Sequence, residues 1–270
     1  MKLAVIGHPI NHSKSPIIHG RWLENAQIDG TYEAIDIAPD NLEKEIARMV
    51  DEGYQGFNVT LPHKENIMKL CDVVDDTAKH IGAANTVVIN NGKLSGYNTD
   101  AYGFTQNIKS NAPKYDFTNK AALVLGAGGA ARAVLRGLLE AGVSRIILTN
   151  RTIEKAETLK QMSPDQIDVV EWGNYKNNLK DIDLLVNTTS LGMVGKTPLD
   201  IDLSSVNKNA LVTDIVYTPL ETDLLKQAKD NGNEIVTGIG MLLYQAQKSF
   251  EIWTGSLPAV DQNLIDEVLA

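Results

Sequence analysis

The feature that most constrains the fold of this chain is a glycine-rich turn placed between an apolar run and a helix-forming segment. Residues 121–125 are short and apolar, the turn Gly126-Ala127-Gly128-Gly129-Ala130 follows, and residues 130–141 have helical composition. A second apolar run covers 146–149. The order strand, turn, helix, strand is typical of the first βαβ unit of a dinucleotide-binding domain.

The residue types in the turn fit the binding of a pyrophosphate. Gly126 permits a tight turn, Gly128 lets the backbone approach the anion, and the small Ala131 allows the helix to pack closely on the strand. The unpaired N–H groups at the start of the helix point toward such an anion. We therefore expect a dinucleotide cofactor here.

Two residues at the end of the second strand indicate which dinucleotide binds. An NAD-specific enzyme places an acidic residue there to accept a hydrogen bond from the ribose 2′-hydroxyl, but this chain has Asn150 and Arg151. A carboxylate would repel a 2′-phosphate, whereas a guanidinium can form two parallel charge-assisted hydrogen bonds with it. The sequence therefore predicts NADP rather than NAD.

Composition narrows the class of protein further. The chain has 270 residues, enough for two domains, and its 25 basic and 34 acidic residues give a net charge of −9. This balance argues against a nucleic-acid or acidic-membrane partner. Cys71 is the only cysteine, so there is no intrachain disulfide, and no apolar stretch nears bilayer length. We expect a cytoplasmic protein that binds a small molecule.

Alternating strand-like and helical patterns predict an α/β fold with two domains. In the N-terminal part, strand-like runs cover 2–7, 31–37, 56–60 and 86–89, and helical patterns cover 16–26, 41–52 and 62–71. Later strand candidates at 167–171, 183–187, 211–215 and 234–237 suffice for a doubly wound Rossmann sheet. We predict a mostly parallel first domain of residues 1–101 and 239–270, to which the C-terminal helix returns, and an NADP domain of residues 102–238.

Lys64 is unusual in its predicted position. Residues 58–61 end a strand, Pro62 suits the first position of a helix, and Lys64 then lies in the first helical turn, where the dipole disfavours a cation. Asp100 in Asn98-Thr99-Asp100 could be its partner, or Thr99 or Asp100 could simply cap a helix from residue 101. The sequence leaves both roles open.

The segment from His12 to Pro16 also has two interpretations. Ser15 could be an N-cap with Pro16 at the first helical position, and the hydroxyls of Ser13 and Ser15 could also bind a carboxylate. Prolines interrupt any helical face that could present the nearby histidines together, and no zinc-binding motif is present, so we expect no metal.

The motifs along nearly the whole chain resemble those of the shikimate dehydrogenase family. The first half has S-x-S-P at 13–16, N-V-T-x-P-x-K at 58–64, G-A-x-N-T at 82–86 and N-T-D at 98–100. The second half has the glycine-rich turn, Asn150-Arg151-Thr152 with Lys155, and the segments 187–193, 214–217 and 238–241 with Gln245, in the family's order.

The resemblance implies a role for each group of residues. Lys64 would be the catalytic acid/base and Asp100 its partner. The residues implied to contact substrate are Ser13, Ser15, Thr60, Lys64, Asn85, Asp100, Tyr217 and Gln245. The residues implied to bind or adjoin the cofactor are Asp76, Gly126, Ala127, Gly128, Gly129, Ala130, Asn150, Arg151, Thr152, Lys155, Ile215 and Gly238.

The activity implied is the reversible NADPH-dependent reduction of 3-dehydroshikimate to shikimate in aromatic amino-acid biosynthesis, by a monomer or homodimer. A quinate/shikimate dehydrogenase with relaxed substrate or cofactor choice is an alternative of the same architecture. A catalytically silent NADP-binding sensor is a rival from another class, which would keep the glycine-rich turn and lose Lys64 or Asp100. Both residues are present.

Overall fold

The structure, a computed structural model, describes all residues from Met1 to Ala270 and contains two compact units. The first unit comprises Met1–Thr99 and Leu243–Ala270, and the second comprises Asp100–Leu242. The return of the C-terminal segment to the first unit is confirmed. Within that unit, the guanidinium of Arg21 pairs with Glu267 at 2.9 Å and the Trp22 indole N–H donates to Ala259 O at 3.0 Å.

The chain forms twelve strands and nine α-helices. The strands are β1 (Lys2–Gly7), β2 (Thr31–Asp36), β3 (Gly56–Val59), β4 (Val73–Val74), β5 (Thr86–Asn90), β6 (Lys93–Tyr97), β7 (Ala121–Leu125), β8 (Arg145–Asn150), β9 (Ile167–Glu171), β10 (Leu184–Asn187), β11 (Leu211–Asp214) and β12 (Ile235–Val236). The α-helices are α1 (Ser15–Asn25), α2 (Leu42–Asp51), α3 (Asp76–Ile81), α4 (Asp100–Asn111), α5 (Gly129–Glu140), α6 (Ile153–Lys160), α7 (Asp223–Asp230), α8 (Ile239–Thr254) and α9 (Gln262–Leu269). Short 3₁₀ helices cover Pro39–Asn41, Ile67–Lys69 and Asn174–Asp181.

The sheet of the first unit has six strands in the order β2-β1-β3-β5-β6-β4. Strand β1 pairs in parallel with β2 and β3, and β4 pairs in parallel with β6. Strand β5 is antiparallel to both β3 and β6. The sheet is thus mostly parallel, as predicted. It also contains the antiparallel hairpin β5–β6, which the sequence analysis did not predict.

The two-residue turn Asn91-Gly92 explains the hairpin. Both residues have positive φ, 51° and 75°, as a type I′ turn requires. The Asn-Gly pair between two β-prone runs is a strong hairpin signal, and it could have been recognised from the sequence.

The predicted helix over 62–71 is wrong. Turns and the 3₁₀ helix Ile67–Lys69 occupy this segment instead. The reason is a tertiary hydrogen bond, because the Lys64 carbonyl accepts from Ala84 N at 2.9 Å. Lys64 therefore does not lie in the first turn of a helix, and the argument from the helix dipole does not apply to it.

The second unit is a doubly wound parallel sheet in the order β12-β11-β10-β7-β8-β9. Alternate residues of β7 enter two separate apolar clusters, Ala122 and Val124 in one and Leu123 and Leu125 in the other. Both faces of the sheet are therefore covered, which explains why its strands read as continuous apolar runs. The Rossmann-type prediction is confirmed.

None of the α-helices combines the length and the apolar composition needed to cross a bilayer.

Candidate functional site

A buried network of amides and hydroxyls lies within the first unit. The Tyr32 hydroxyl donates to Asn58 Oδ1 at 2.7 Å. Asn58 Nδ2 lies within 3.2 Å of three acceptors, namely Asn85 O, Thr86 Oγ1 and Ser249 Oγ. These residues are nearly inaccessible to solvent, so each polar group depends on its protein partners.

The network fixes the orientation of the Asn85 amide. Its Oδ1 accepts from the Thr99 backbone N at 2.8 Å, and because a backbone N–H can only donate, the other amide atom must be the donor. Asn85 Nδ2 donates to Thr99 Oγ1 at 2.9 Å and to Gln245 Oε1 at 3.2 Å. Two predicted substrate residues, Asn85 and Gln245, are thus in direct contact.

The same network places the main chain around Lys64 and Asp100. The Lys64 carbonyl is bonded to Ala84 N, one residue before Asn85. Thr99, bonded to Asn85 at both its backbone and its hydroxyl, directly precedes Asp100, which begins α4. A helix does begin in this segment, at Asp100 instead of residue 101, and a functional role for Asp100 stays open.

Ser13 and Ser15 lie at the start of α1, but Ser15 is not its N-cap. The helix begins at Ser15, Lys14 occupies the cap position, and no side chain caps the helix. The Ser13 hydroxyl accepts a hydrogen bond from Ser15 N at 3.3 Å. The Ser15 hydroxyl lies close enough to Tyr32 to lower the pKa of the tyrosine, against the larger effect of burial, which raises it. Ser15 thus lies next to the buried network and does not cap the helix.

Thr60 and His63 hold the turn that carries Lys64. Thr60 N donates to Ile6 O at 2.9 Å, and a Cβ on Gly7 would lie 2.5 Å from Thr60 Cγ2, so only glycine fits at position 7. The buried His63 ring bonds through Nε2 to Ile37 O at 2.6 Å. The turn is therefore anchored on both sides.

His19 packs beneath the network in a cluster of aromatic rings. Its ring stacks on Tyr32 with centroids 4.3 Å apart and planes within 12°, and Trp22, Phe250 and Trp253 surround it. Complete burial lowers the pKa of His19 to about 3, so the ring is neutral at physiological pH.

Sequence reasoning missed Tyr32, Asn58 and Ser249 as members of this network. Asn58 belongs to the N-V-T motif that was identified, so its signal was available. Tyr32 reads as an ordinary buried strand residue and Ser249 as one position of an apolar helix, so neither has a recognisable signal.

In the second unit, the glycine-rich turn has the conformation that the sequence predicts. Gly126 has a φ of 106°, and a Cβ there would lie 2.7 Å from Thr188 Oγ1. A Cβ on Gly128 or Gly129 would meet no atom within 4 Å, so this side of the turn is open at the start of α5. The residues present fit a pyrophosphate over the helix N-terminus.

Asn150 braces this turn, since its Oδ1 accepts from Ala127 N at 3.1 Å and its Nδ2 donates to Thr152 O at 2.8 Å. Arg151 and Lys155 are exposed beside it, at the start of α6, and neither forms an ion pair with a protein carboxylate. Arg151 and Lys155 are therefore two cations, without a carboxylate partner and close to Asn150 in the chain, that could bind a phosphate group.

The remaining predicted residues lie on other segments. A Cβ on Gly238 would lie 2.5 Å from the carbonyl carbon of Ile215, so only glycine lets these two turns of the second unit meet. Tyr217, also in the second unit, is partly buried, and burial raises the pKa of its hydroxyl. Asp76 is in the first unit, exposed in the first turn of α3 and paired with Lys79 at 3.1 Å.

No three His, Cys, Asp or Glu side chains come together as metal ligands.

Burial raises the pKa of the Cys71 thiol to about 11, so this thiol is protonated at neutral pH.

Three family profiles match the chain. "Shikimate dehydrogenase substrate binding domain" covers residues 5–87, "Shikimate / quinate 5-dehydrogenase" covers 107–216, and "Shikimate 5'-dehydrogenase C-terminal domain" covers 238–262. The chain belongs to the shikimate dehydrogenase family. The resemblance seen in the motifs is therefore confirmed.

Members of the shikimate dehydrogenase family are similar to this chain over nearly their full length. The NADP(+) enzyme of Azorhizobium caulinodans is 46% identical over 269 residues, which cover 100% of this chain and 96% of the relative. That of Paramagnetospirillum magneticum is 48% identical over 267 residues, 98% and 97% of the two chains. The crystal structure of the Thermus thermophilus enzyme with NADP(H) and shikimate has a TM-score of 0.88 at 36% identity, covering 100% of this chain and 98% of that one.

Proposed function

We propose that the protein catalyses the reversible NADPH-dependent reduction of 3-dehydroshikimate to shikimate. The observation that carries the proposal is the Asn85 amide, which Thr99 and Gln245 hold in one orientation next to the segments of Lys64 and Asp100. Family membership supplies the reaction, and this network supplies oriented polar groups for a hydroxylated ring.

The substrate is a ring that carries hydroxyls and a carboxylate, and the first unit offers groups for both. The hydroxyls of Ser13 and Ser15 at the start of α1 would bind the carboxylate, which the helix dipole also favours. Asn85, Gln245, Thr60 and Tyr217 would hydrogen-bond the ring hydroxyls. A ring that lacks these hydroxyls would lose those hydrogen bonds and should therefore bind poorly.

Lys64 and Asp100 would carry out proton transfer. NADPH, when held by the second unit, would supply the hydride for the carbonyl carbon of the ring. The Lys64 ammonium stabilises the negative charge that develops on the carbonyl oxygen and delivers the proton to it. Asp100 hydrogen-bonds the substrate and orients Lys64. In the direction of shikimate oxidation, neutral Lys64 accepts the hydroxyl proton.

The second unit would hold NADP(H). The turn Gly126 to Ala130 and the N-terminus of α5 receive the pyrophosphate, while Arg151, Thr152 and Lys155 contact the 2′-phosphate. Asn150 braces the turn and adjoins the phosphate site. Ile215 and Gly238 would complete the set in this unit, and the family resemblance implies the same role for Asp76 of the first unit.

A steady-state assay with two substrates and two cofactors tests the proposal. The purified protein should oxidise shikimate with NADP+ at a far higher kcat/KM than with NAD+, and faster than quinate. Equal activity on quinate would establish the alternative that the shikimate/quinate profile leaves open. Binding of NADP+ without turnover of either substrate would establish a sensor instead. We place the protein in the cytoplasm as a monomer or homodimer, and size-exclusion chromatography with light scattering decides between the two assemblies.

A further inference from the structure

A buried carboxylate in the second unit has no part in the proposed proton transfer. Asp214, the last residue of β11, is 1% exposed. Its Oδ1 accepts from Val216 N and from Asn187 Nδ2, each at 3.0 Å, and its Oδ2 accepts from the Thr222 hydroxyl at 2.8 Å. Burial raises the pKa of this carboxyl, while the three hydrogen bonds lower it.

The partners of Asp214 Oδ1 require an acceptor. Val216 N is a backbone donor. Asn187 must also present its amide nitrogen, because its Oδ1 already accepts from Thr189 N at 3.0 Å and from Thr189 Oγ1 at 2.7 Å. An apolar residue at position 214 would leave these donors unsatisfied, at the loss of stabilisation that a buried unpaired group causes.

Asp214 therefore ties together the turns that follow β10 and β11. Asn187 ends β10 and leads into the turn 187–191, where Leu191 N donates to Thr189 Oγ1 at 3.1 Å. Ile215 N donates to Asn187 O at 3.1 Å, which links the second turn, 215–217, to the first. Thr188, between Asn187 and Thr189, bonds through its hydroxyl to Leu125 O at 2.7 Å, beside the glycine-rich turn.

The strand order shows which half of a dinucleotide these turns would meet. All strands of this sheet are parallel, so the turns after β7, β8, β10 and β11 share one edge. The glycine-rich turn follows β7, Arg151 follows β8 on one side of it, and Asn187 and Asp214 end β10 and β11 on the other. With the pyrophosphate at β7 and the phosphorylated ribose at Arg151, the nicotinamide half lies toward β10 and β11.

We propose that Asp214 is a positioning residue, which holds the turns 187–191 and 215–217 in the conformation that binds the nicotinamide half of NADP(H). This inference rests on the proposed NADP-dependent function. It assigns to Asp214 no contact with the substrate or with the reacting atoms.

Isothermal titration with two ligands tests the inference. NADP+ spans the whole site, whereas adenosine 2′,5′-bisphosphate carries only the adenosine half with its 2′-phosphate. Asp214→Ala should raise the Kd for NADP+ by about tenfold or more, as expected when buried hydrogen bonds are lost. The Kd for the bisphosphate should change less than about twofold, a selectivity that general loss of structure would not produce.

Two further variants keep the test decisive. Thr222→Val provides the test if Asp214→Ala does not fold. It removes one hydrogen bond of Asp214 with little change in side-chain shape, and it should weaken NADP+ binding a few-fold. Asp183→Ala is the matched control, since Asp183 precedes β10 at the opposite edge of the same sheet and accepts from Ala121 N at 3.0 Å. It should leave the Kd of both ligands unchanged.

Wild-type affinity for NADP+ in Asp214→Ala would overturn the inference, as would equal losses for NADP+ and the bisphosphate. Where Asp214→Ala does not fold, wild-type affinity for NADP+ in Thr222→Val would overturn it. A wild-type protein that binds neither ligand would overturn the proposed cofactor, which is a separate failure.

Discussion

The two units provide binding groups in different ways. In the first unit, most of the groups proposed for the substrate are neutral amides and hydroxyls, and two of them, Asn85 and Gln245, are bonded to each other beside the buried network of Tyr32, Asn58 and Ser249. In the second unit, the groups proposed for the cofactor are backbone N–H groups at a glycine turn and exposed cations that have no protein partner.

The difference follows from what each ligand needs. A small hydroxylated ring is recognised by many directional hydrogen bonds, which require side chains fixed in advance, and a buried network fixes them. A dinucleotide is recognised mainly by its phosphates, for which a helix N-terminus and a guanidinium suffice. Substitutions of the amides and hydroxyls of the first unit should therefore change shikimate binding or turnover, and substitutions at the glycine turn and the exposed cations of the second unit should change cofactor affinity and choice.

The largest effect should come from Lys64. Lys64→Ala should lower kcat by about 10²–10⁴, the usual contribution of a positioned acid/base group, and leave the Kd for NADP+ near normal. Stopped-flow and steady-state rates of shikimate oxidation measure this. Lys69→Ala is the control, since Lys69 is exposed five residues later and bonds Asn66. Near-normal turnover in Lys64→Ala would refute the mechanism.

Substitution of Asp100 tests whether this residue and Lys64 act as a pair. Asp100→Asn should lower kcat and raise the KM for shikimate together, because this residue both binds substrate and orients Lys64. The double variant should lose less than the product of the two single losses. A loss in the double variant equal to the product of the two single losses would show that the two residues act independently.

Arg151 should have the next largest effect. A charge-assisted hydrogen bond to phosphate contributes about 1.5–3 kcal/mol, so Arg151→Ala should raise the KM for NADP+ roughly ten- to a hundredfold and scarcely change the KM for NAD+. Arg145→Ala at the opposite end of β8, where Arg145 pairs with Asp168, is the control. Equal losses with both cofactors would assign Arg151 a structural role.

Ser13 and Ser15 should have smaller effects, mainly on substrate binding. Ser15→Ala or Ser13→Ala should raise the KM for shikimate several-fold, since a neutral hydrogen bond contributes about 0.5–1.5 kcal/mol, with kcat little altered. Because Ser15 does not cap α1, Ser15→Ala should hardly change the melting temperature. A variant that unfolds more easily but keeps its kinetic constants would contradict the carboxylate-binding role.

The effect of His19 should be seen only in the dependence of stability on pH. Its pKa in the folded state, about 3, is below the ordinary 6.5, so the neutral ring stabilises the fold above pH 6.5. This contribution is lost as pH falls from 6.5 toward 3, at about 1.4 kcal/mol per pH unit. The free energies of unfolding of the wild type and of His19→Phe, measured with denaturant at several pH values, should diverge with this slope. Phe250→Leu changes a neighbour that does not titrate, so its unfolding free energy should not diverge from that of the wild type as pH falls. If the curves of His19→Phe and the wild type run parallel, the lowered pKa of His19 is contradicted.

The second unit was more predictable from sequence than the first. The strands expected at 167–171, 183–187 and 211–215 are observed as β9, β10 and β11 within a residue, because strands buried on both faces of a parallel sheet are apolar along their length. The glycine turn was equally clear, since Gly126 needs a positive φ that few other residues adopt.

The first unit could not be predicted as well because long-range hydrogen bonds determine its local structure. The Lys64 carbonyl bonds to Ala84 N, and this overrides the helix that the local sequence from Pro62 favours. Ser15 has the sequence of an N-cap, yet it is the first residue of α1 and packs next to Tyr32, which lies on a strand. Ser249 is separated from Asn58 by 191 positions, so no local pattern indicates that they meet.

The most direct test of the division between the units is a set of binding titrations on four proteins: the wild type, Ser15→Ala, Arg151→Ala and the double variant. The Kd of shikimate and the Kd of NADP+ are measured separately by calorimetry for each. Ser15→Ala should weaken only shikimate binding, Arg151→Ala should weaken only NADP+ binding, and the double variant should show both losses, additive within about 0.5 kcal/mol. A loss of NADP+ affinity in Ser15→Ala, or of shikimate affinity in Arg151→Ala, would contradict the account.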